Sequence, residues 1–216
     1  MSEPPSKPRI YHITHVDNLA SIVADACLWS DREQIARRPE ARIVGMSRIK
    51  RRRLTRLTMS CHRPLMVGDF VPFNFCPRSF MLFVIHRASH PDLAYRGGQE
   101  PMLHFEADLH EVVRWADRLG RRWAVTVANA GSRSTRHFDR IEDLDRIDWD
   151  AVAARDFTAP AVKVAKQSEF LFHESFPWTL VRRIGVASRA IHARATAALA
   201  NSIHRPLVEV LPHWYY

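Results

Sequence analysis

Hydrophobic and polar positions along this chain change period several times, and each change predicts an element. Arg9 to Thr14 alternate and are β-prone, which reads as an early strand. Asp17 stands where it could cap a helix over Asn18 to about Ala26, with Leu19, Ile22 and Val23 on the apolar face. Ser30 to Ile43 is charged and carries Pro39, so it reads as loop or broken helix, and Gly45 to Thr55 as a short basic helix. Phe70 to Ser79 is aromatic but interrupted by Pro72 and Pro77, which suits a structured loop or edge better than a central strand. Phe80 to His86 is an apolar run of strand length. Asp108 to Leu119 is an amphipathic helix stopped by Gly120, and Trp123 to Val127 is another strand. Asn129 to Thr135 reads as a polar loop and Asp143 to Ala154 as a short helical region. A strand around Glu169, a strand over Val181 to Val186, a helix over Ser188 to Asn201 and a strand over Leu207 to Val210 complete the pattern. Strands and helices are interspersed without regular βαβ spacing, so the predicted class is α+β.

The pattern also isolates one carboxylate. Phe170, Leu171 and Phe172 read as a largely buried strand, and Glu169 stands directly before them. A carboxylate there must be solvated, paired or used, because burying it uncompensated is expensive. Lys166, Gln167 and Ser168 beside it suggest the edge of a pocket.

Composition narrows the classes. The 216 residues suit one domain over 1–216, with 1–8 as a flexible lead. No run of about 18 apolar residues indicates a membrane span, and the polar, Pro-rich N-terminus has no signal-peptide core. Cys27, Cys61 and Cys76 are odd in number and widely spaced, fitting neither a disulfide framework nor a zinc site. A reducing cytoplasm is the compartment expected. The formal net charge is +9 and unevenly spread. No acidic residue falls between Ala41 and Gly68, a stretch that holds Arg42, Arg48, Lys50, Arg51, Arg52, Arg53, Arg56 and Arg63. Such a one-sided stretch is the footprint of a polyanion partner.

Familiar motifs are absent. There is no GxGxxG, no GxxxxGK[ST] and no HExxH. His12 and His15, three apart on a strand, point to opposite faces and do not share a metal. Cys61 and Cys76 read as packing residues. Phe73, Phe75, Trp29 and Trp123 could stack on a base or a cofactor ring, or simply fill the core. The residues permit a site for an anionic cofactor with one catalytic carboxylate, and leave the reaction open.

Seven segments, taken in order, go further: Ile10 to Leu19, Ile49 to Arg53, Phe70 to Leu82, Gly97 to Pro101, Asp145 to Trp149, Lys166 to Leu171 and Phe176 to Trp178. Together they span nearly the whole chain and resemble the DarT family of bacterial toxins, which are DNA ADP-ribosyltransferases. The resemblance implies an ADP-ribosyltransferase fold, a split β-sheet core with peripheral helices and NAD+ as co-substrate, without a metal. It implies that His12, Ile13 and Thr14 touch NAD+, that Ser21 and Trp29 line its side, and that about Arg37 to Thr55 folds over it. Arg53 matches the family's catalytic arginine, with Arg52 as the alternative register, and Glu169 its catalytic glutamate. About Ala124 to Glu169 would hold the loop that presents the target base. Arg48, Lys50, Arg51, Arg52, Arg56 and Arg78 would hold the DNA backbone. The target would be a base in single-stranded DNA, with thymidine favoured over guanosine. The partner would be a DarG-like macrodomain antitoxin. Alternatives are an RNA- or protein-directed enzyme of the same fold, or a nucleic-acid-binding relative without catalysis. The chain departs from the family in having Asn74 where Tyr is common, Phe80 where Pro is common, and Thr126-Val127 where Thr-Asp is common.

Overall fold

The computed structural model describes residues 3–132 and 135–216, so the expected loop from Asn129 to Thr135 lies partly, at 133 and 134, outside the described residues. In chain order the elements are β1 (Arg9–His15), α1 (Leu19–Asp25), β2 (Cys27–Trp29), α2 (Asp31–Arg37), α3 (Ser47–Thr55), β3 (Phe70–Asn74), α4 (Phe80–Arg87), β4 (Met102–Asp108) and α5 (Leu109–Arg118). They continue with β5 (Trp123–Thr126), β6 (His137–Phe138), α6 (Trp149–Ala153), α7 (Pro160–Ala165), β7 (Glu169–His173), β8 (Ser175–Pro177), β9 (Arg183–Val186), α8 (Arg189–Ala198) and β10 (Leu207–Val210). Eight strands form one sheet in the order β10-β9-β4-β1-β3-β7-β5-β6, and β2 pairs with β8 as a separate ribbon.

That sheet is split at its middle. β1 pairs with β4 at seven positions and β3 with β7 at five, yet β1 and β3 meet only at Tyr11–Asn74. The mixed architecture and its split sheet match the expected fold class. Five phenylalanines without exposed surface (Phe73, Phe105, Phe170, Phe172 and Phe176) anchor the larger core, which α1, α5, α6 and α8 close. Each contributes roughly 1.5–3 kcal/mol relative to exposure. A second cluster packs α4 through Leu82, Val84 and Ile85 against Tyr11, Met102, Trp214 and Tyr215. Among the described residues no helix is long and apolar enough to cross a membrane.

Several expectations need correction. Pro72 lies inside a central strand, not in a loop or at an edge. Its carbonyl accepts from the His12 ring rather than from β7, so its missing N–H faces the split, where no ladder bond is lost. Phe80 to His86 is helical. Ser79 caps α4 by accepting from the Leu82 N–H, and Ala88 closes it in the left-handed conformation. Phe80 is therefore the first helical residue, a position that suits the family's proline. Asp17 does not cap α1. A short 3-10 turn, Val16–Asn18, precedes that helix, and Asp17 pairs with Arg42 and Arg194 instead. Lys166 is no pocket edge: it is buried and donates to the Val152 and Ala154 carbonyls. Sequence reasoning did not foresee β4, the β2–β8 ribbon or α7.

Candidate active site

Where the sheet splits, a cleft of about 1320 Å³, open mouth included, runs along it. From β1 it takes His12, Ile13 and Thr14. From β3 come Pro72 and Asn74, and from the start of β7 comes Glu169. Residues 41–46 arch across one side, held there by Asn18, whose side-chain amide donates to the Arg42 carbonyl and accepts from the Arg42 N–H, both at 2.9 Å. The following helix, α3, turns Ile49 and Arg53 into the cleft because residues four apart share a face. The segment expected to fold over NAD+ thus borders the cleft.

Glu169 is 6% exposed and fully partnered. One carboxylate oxygen accepts from the Ala130 N–H at 2.9 Å, the other from Arg53 Nη2 at 2.7 Å. Its own N–H donates to the Thr126 hydroxyl at 3.0 Å, and that hydroxyl donates in turn to the Ala128 carbonyl at 2.6 Å. The carboxylate is therefore held from two sides by elements outside the sheet, a helix and a loop. The loop winds on Asn129, whose side chain accepts from the Gly131 N–H and donates to Gln167. None of the backbone donors could be read from side-chain types.

His12 donates Nδ1–H to the Pro72 carbonyl at 2.8 Å, which leaves Nε2 with the lone pair. Burial holds its protonation below the ordinary imidazole value, against the opposing pull of Pro72. Thr14 accepts from Asn18. Trp29 lines the far side of the cleft, donating to Asp25 and lying under the Arg37 guanidinium at 4.4 Å. Lys50 reaches Asp31 at 2.6 Å in the same wall.

Other expected residues lie elsewhere. Ser21 does not line the cleft, and its hydroxyl donates to Asn18 one turn back. Arg52 points away from Glu169 and bonds the Gly131 carbonyl at 3.1 Å, so Arg53 is the arginine that reaches the carboxylate. Arg48 and Arg51 are exposed on α3, Arg48 beside Asp92 at 3.5 Å, and Arg56 is exposed just beyond the helix. Arg78 lies over the Tyr216 ring at 4.4 Å and lines no cavity described here. Phe73, Phe75 and Trp123 are buried in the core, which leaves Trp29 as the expected aromatic that borders the cleft. Gln167 borders it, as expected of a pocket edge, and Asn74, Asp31 and Phe80 border it too and were not foreseen.

Cys76 is buried and its thiol is raised by burial, as a packing residue should be. Cys61, His62 and Asp139 bring their ligating atoms within 4.8 Å of one another. Burial, and then Asp139, push the Cys61 thiol up to about 12, so it stays protonated near neutral pH.

Comparison with known proteins bears on the fold and the family. The model of the family described as "ssDNA thymidine ADP-ribosyltransferase, DarT" matches residues 11–216. A DNA ADP-ribosyl transferase of Thermus sp. (strain 2.9) is 32% identical over 215 residues, 98% of each chain. The structure of Thermus sp. 2.9 DarT in complex with ADP-ribosylated ssDNA superposes with a TM-score of 0.89 at 31% identity, covering 100% of this chain and 99% of that one. The same protein in complex with NAD+ gives 0.83 at 29%, covering 99% and 100%. A split sheet, a cleft along the split and a paired glutamate at its floor thus occur in a chain that belongs to the DarT family of single-stranded-DNA thymidine ADP-ribosyltransferases.

Proposed function

We infer that this enzyme transfers ADP-ribose from NAD+ to a base of single-stranded DNA, thymidine in the family's manner, and releases nicotinamide. The observation that carries this is Glu169, fixed between Ala130 and Arg53 at the floor of the cleft. The nearly full-length likeness to structures with NAD+ and with ADP-ribosylated DNA supports both halves of the reaction.

The residues fit NAD+. In the transfer, the bond between the ribose anomeric carbon and the nicotinamide nitrogen breaks, and nicotinamide leaves with the bonding pair. The ribose becomes oxocarbenium-like, and a ring nitrogen of the base attacks the same carbon while its proton passes to solvent water. Glu169, accepting from the adjacent ribose hydroxyl, stabilises that positive charge and orients the sugar. Two fixed partners already orient its oxygens, so little reorganisation is needed. Neutral His12 and Thr14 hold the nicotinamide side. Arg53 remains a cation, since guanidinium does not deprotonate in proteins. It stabilises the deprotonated base rather than removing the proton itself. The exposed cations of α3 hold the strand backbone, and a macrodomain antitoxin of the DarG type is the partner that reverses the modification.

The test is incubation with labelled NAD+ and separate pools of single-stranded DNA, RNA and protein. Label on DNA that disappears when thymidine is replaced is the expected result. Label on RNA or protein alone, or on no pool, would overturn the assignment.

A further inference from the structure

A second cavity lies across the loop from Glu169. Arg52, Arg56, Thr58, Ser132, Thr135 and His137 line it. Arg52 and Arg56 reach it because they too are four apart, on the face of the α3 segment that Ile49 and Arg53 do not use. Arg56 has no acidic partner among the described residues. Ala130, which also lines this cavity, donates to Glu169, and neighbouring Gly131 accepts from Arg52. Backbone 130–131 is therefore the wall between the cleft and this cavity.

His137 supplies an independent observation. The residue is 8% exposed. The Ser60 backbone N–H donates to its Nδ1 at 3.3 Å. A backbone N–H can only donate, so Nδ1 carries the lone pair and the ring proton sits on Nε2. Nε2 is buried and has no hydrogen-bond partner. Burial, then the Arg53 charge, lower its protonation to about 4, so near neutral pH the ring is a neutral single donor. A buried donor without an acceptor is costly and rare. His137 lines the same cavity as Arg52, Arg56, Thr58 and Ser132, with Leu57 and Thr135, whose hydroxyl donates to the Asn129 carbonyl, also in the lining, and the two arginines suit an oxygen-rich anion.

We propose that this cavity is a phosphate subsite, holding one phosphodiester of the DNA strand next to the nucleotide that is modified. The assignment rests on the DNA-modifying reading above and names its backbone contact: Arg52 and Arg56 pair with the phosphate charge, and the His137 side donates to its oxygens. Because the wall of the subsite also holds Glu169, seating that phosphate fixes the loop against the carboxylate.

Equilibrium binding of a set of single-stranded oligonucleotides tests it, each carrying one neutral methylphosphonate linkage at a different place around the target base. The expected result is a single linkage whose neutralisation weakens binding about tenfold. In Arg56→Gln and His137→Phe that sensitivity shrinks toward onefold, and the dependence of log affinity on log salt becomes shallower by about 0.7 in Arg56→Gln. NAD+ affinity stays within about twofold in both variants. Arg56 is exposed, so its variant reports even if His137→Phe fails to fold. Equal sensitivity at every linkage, or a single sensitive linkage that persists unchanged in Arg56→Gln, overturns the subsite. Absence of ADP-ribose transfer with the coupling intact would overturn the catalytic reading alone.

Discussion

Among the described residues two buried glutamates pair with arginine, Glu106 and Glu169, and of these Glu169 borders the cleft. Glu106 on β4 takes both oxygens to one guanidinium, Arg183 Nη2 at 2.8 Å and Nε at 3.2 Å. Arg183 also pairs with Glu209 and lies 5.1 Å from the centre of the Trp214 ring. The pair is set by strand register, since Glu106 stands opposite Arg183 between β4 and β9. It is a closed network, and neither residue lines a cavity described here. Glu169 divides its oxygens between Arg53, from a helix across the cleft, and Ala130, from a loop. Burial and an ion pair are common to both, so neither marks a site by itself. What differs is openness: Glu169 and Arg53 both border the cleft, whereas Glu106 and Arg183 do not.

The contrast can be attacked at either end. Replacing Arg53 with Lys keeps the charge but loses the planar fork, and transfer should fall about 100-fold in single-turnover assays. Near-full activity would sink the base-stabilising role. Glu106→Gln should instead lower stability by about 2 kcal/mol in denaturant melts, while the folded fraction transfers ADP-ribose normally. A variant that folds well but transfers poorly would erase the distinction between the two pairs. Thr126→Val removes the hydroxyl that accepts the Glu169 N–H and should cost about 1–2 kcal/mol of stability, with a lower kcat and an unchanged KM for NAD+.

Stability also depends on pH. His104 and His137 are lowered from 6.5 to about 4, in both cases mainly by burial. A depressed histidine takes up its proton more readily when unfolded. Stability from these groups is full above pH 6.5 and is lost as pH falls toward 4. Denaturant midpoints should drop over that window, and in His137→Phe the slope should be shallower by about one proton.

The sequence revealed the fold where a local signal agreed with its context. β1 alternates, Asp108 caps α5 by accepting from the Glu111 N–H, and Gly120 takes the positive φ after that helix. It misled where context overrode the signal. Proline demotes a strand paired on both sides, but β3 faces β1 across a split and meets it at one residue pair. β4 carries His104, Glu106 and Asp108, which look solvated until Arg183 and Arg9 are seen beside the two carboxylates. The eight residues of α4 are apolar enough to read either way, and the deciding signal, Ser79, stands just outside the run. In the site, the pattern alone isolated Glu169 as a carboxylate to be solvated, paired or used, without choosing among these. The ordered family segments singled it out together with Arg53 and His12, which the fold then brings to one cleft. The Ala130 N–H and the Pro72 carbonyl were hidden because any residue could supply them.

The central claim is that the open pair is the catalytic one, and Glu169→Gln tests it most directly. Single-turnover transfer of labelled ADP-ribose to single-stranded DNA should fall at least about 10³-fold, while calorimetry finds NAD+ bound within a few-fold of the unaltered protein. Transfer within tenfold of the unaltered protein, with NAD+ still bound, would contradict the account.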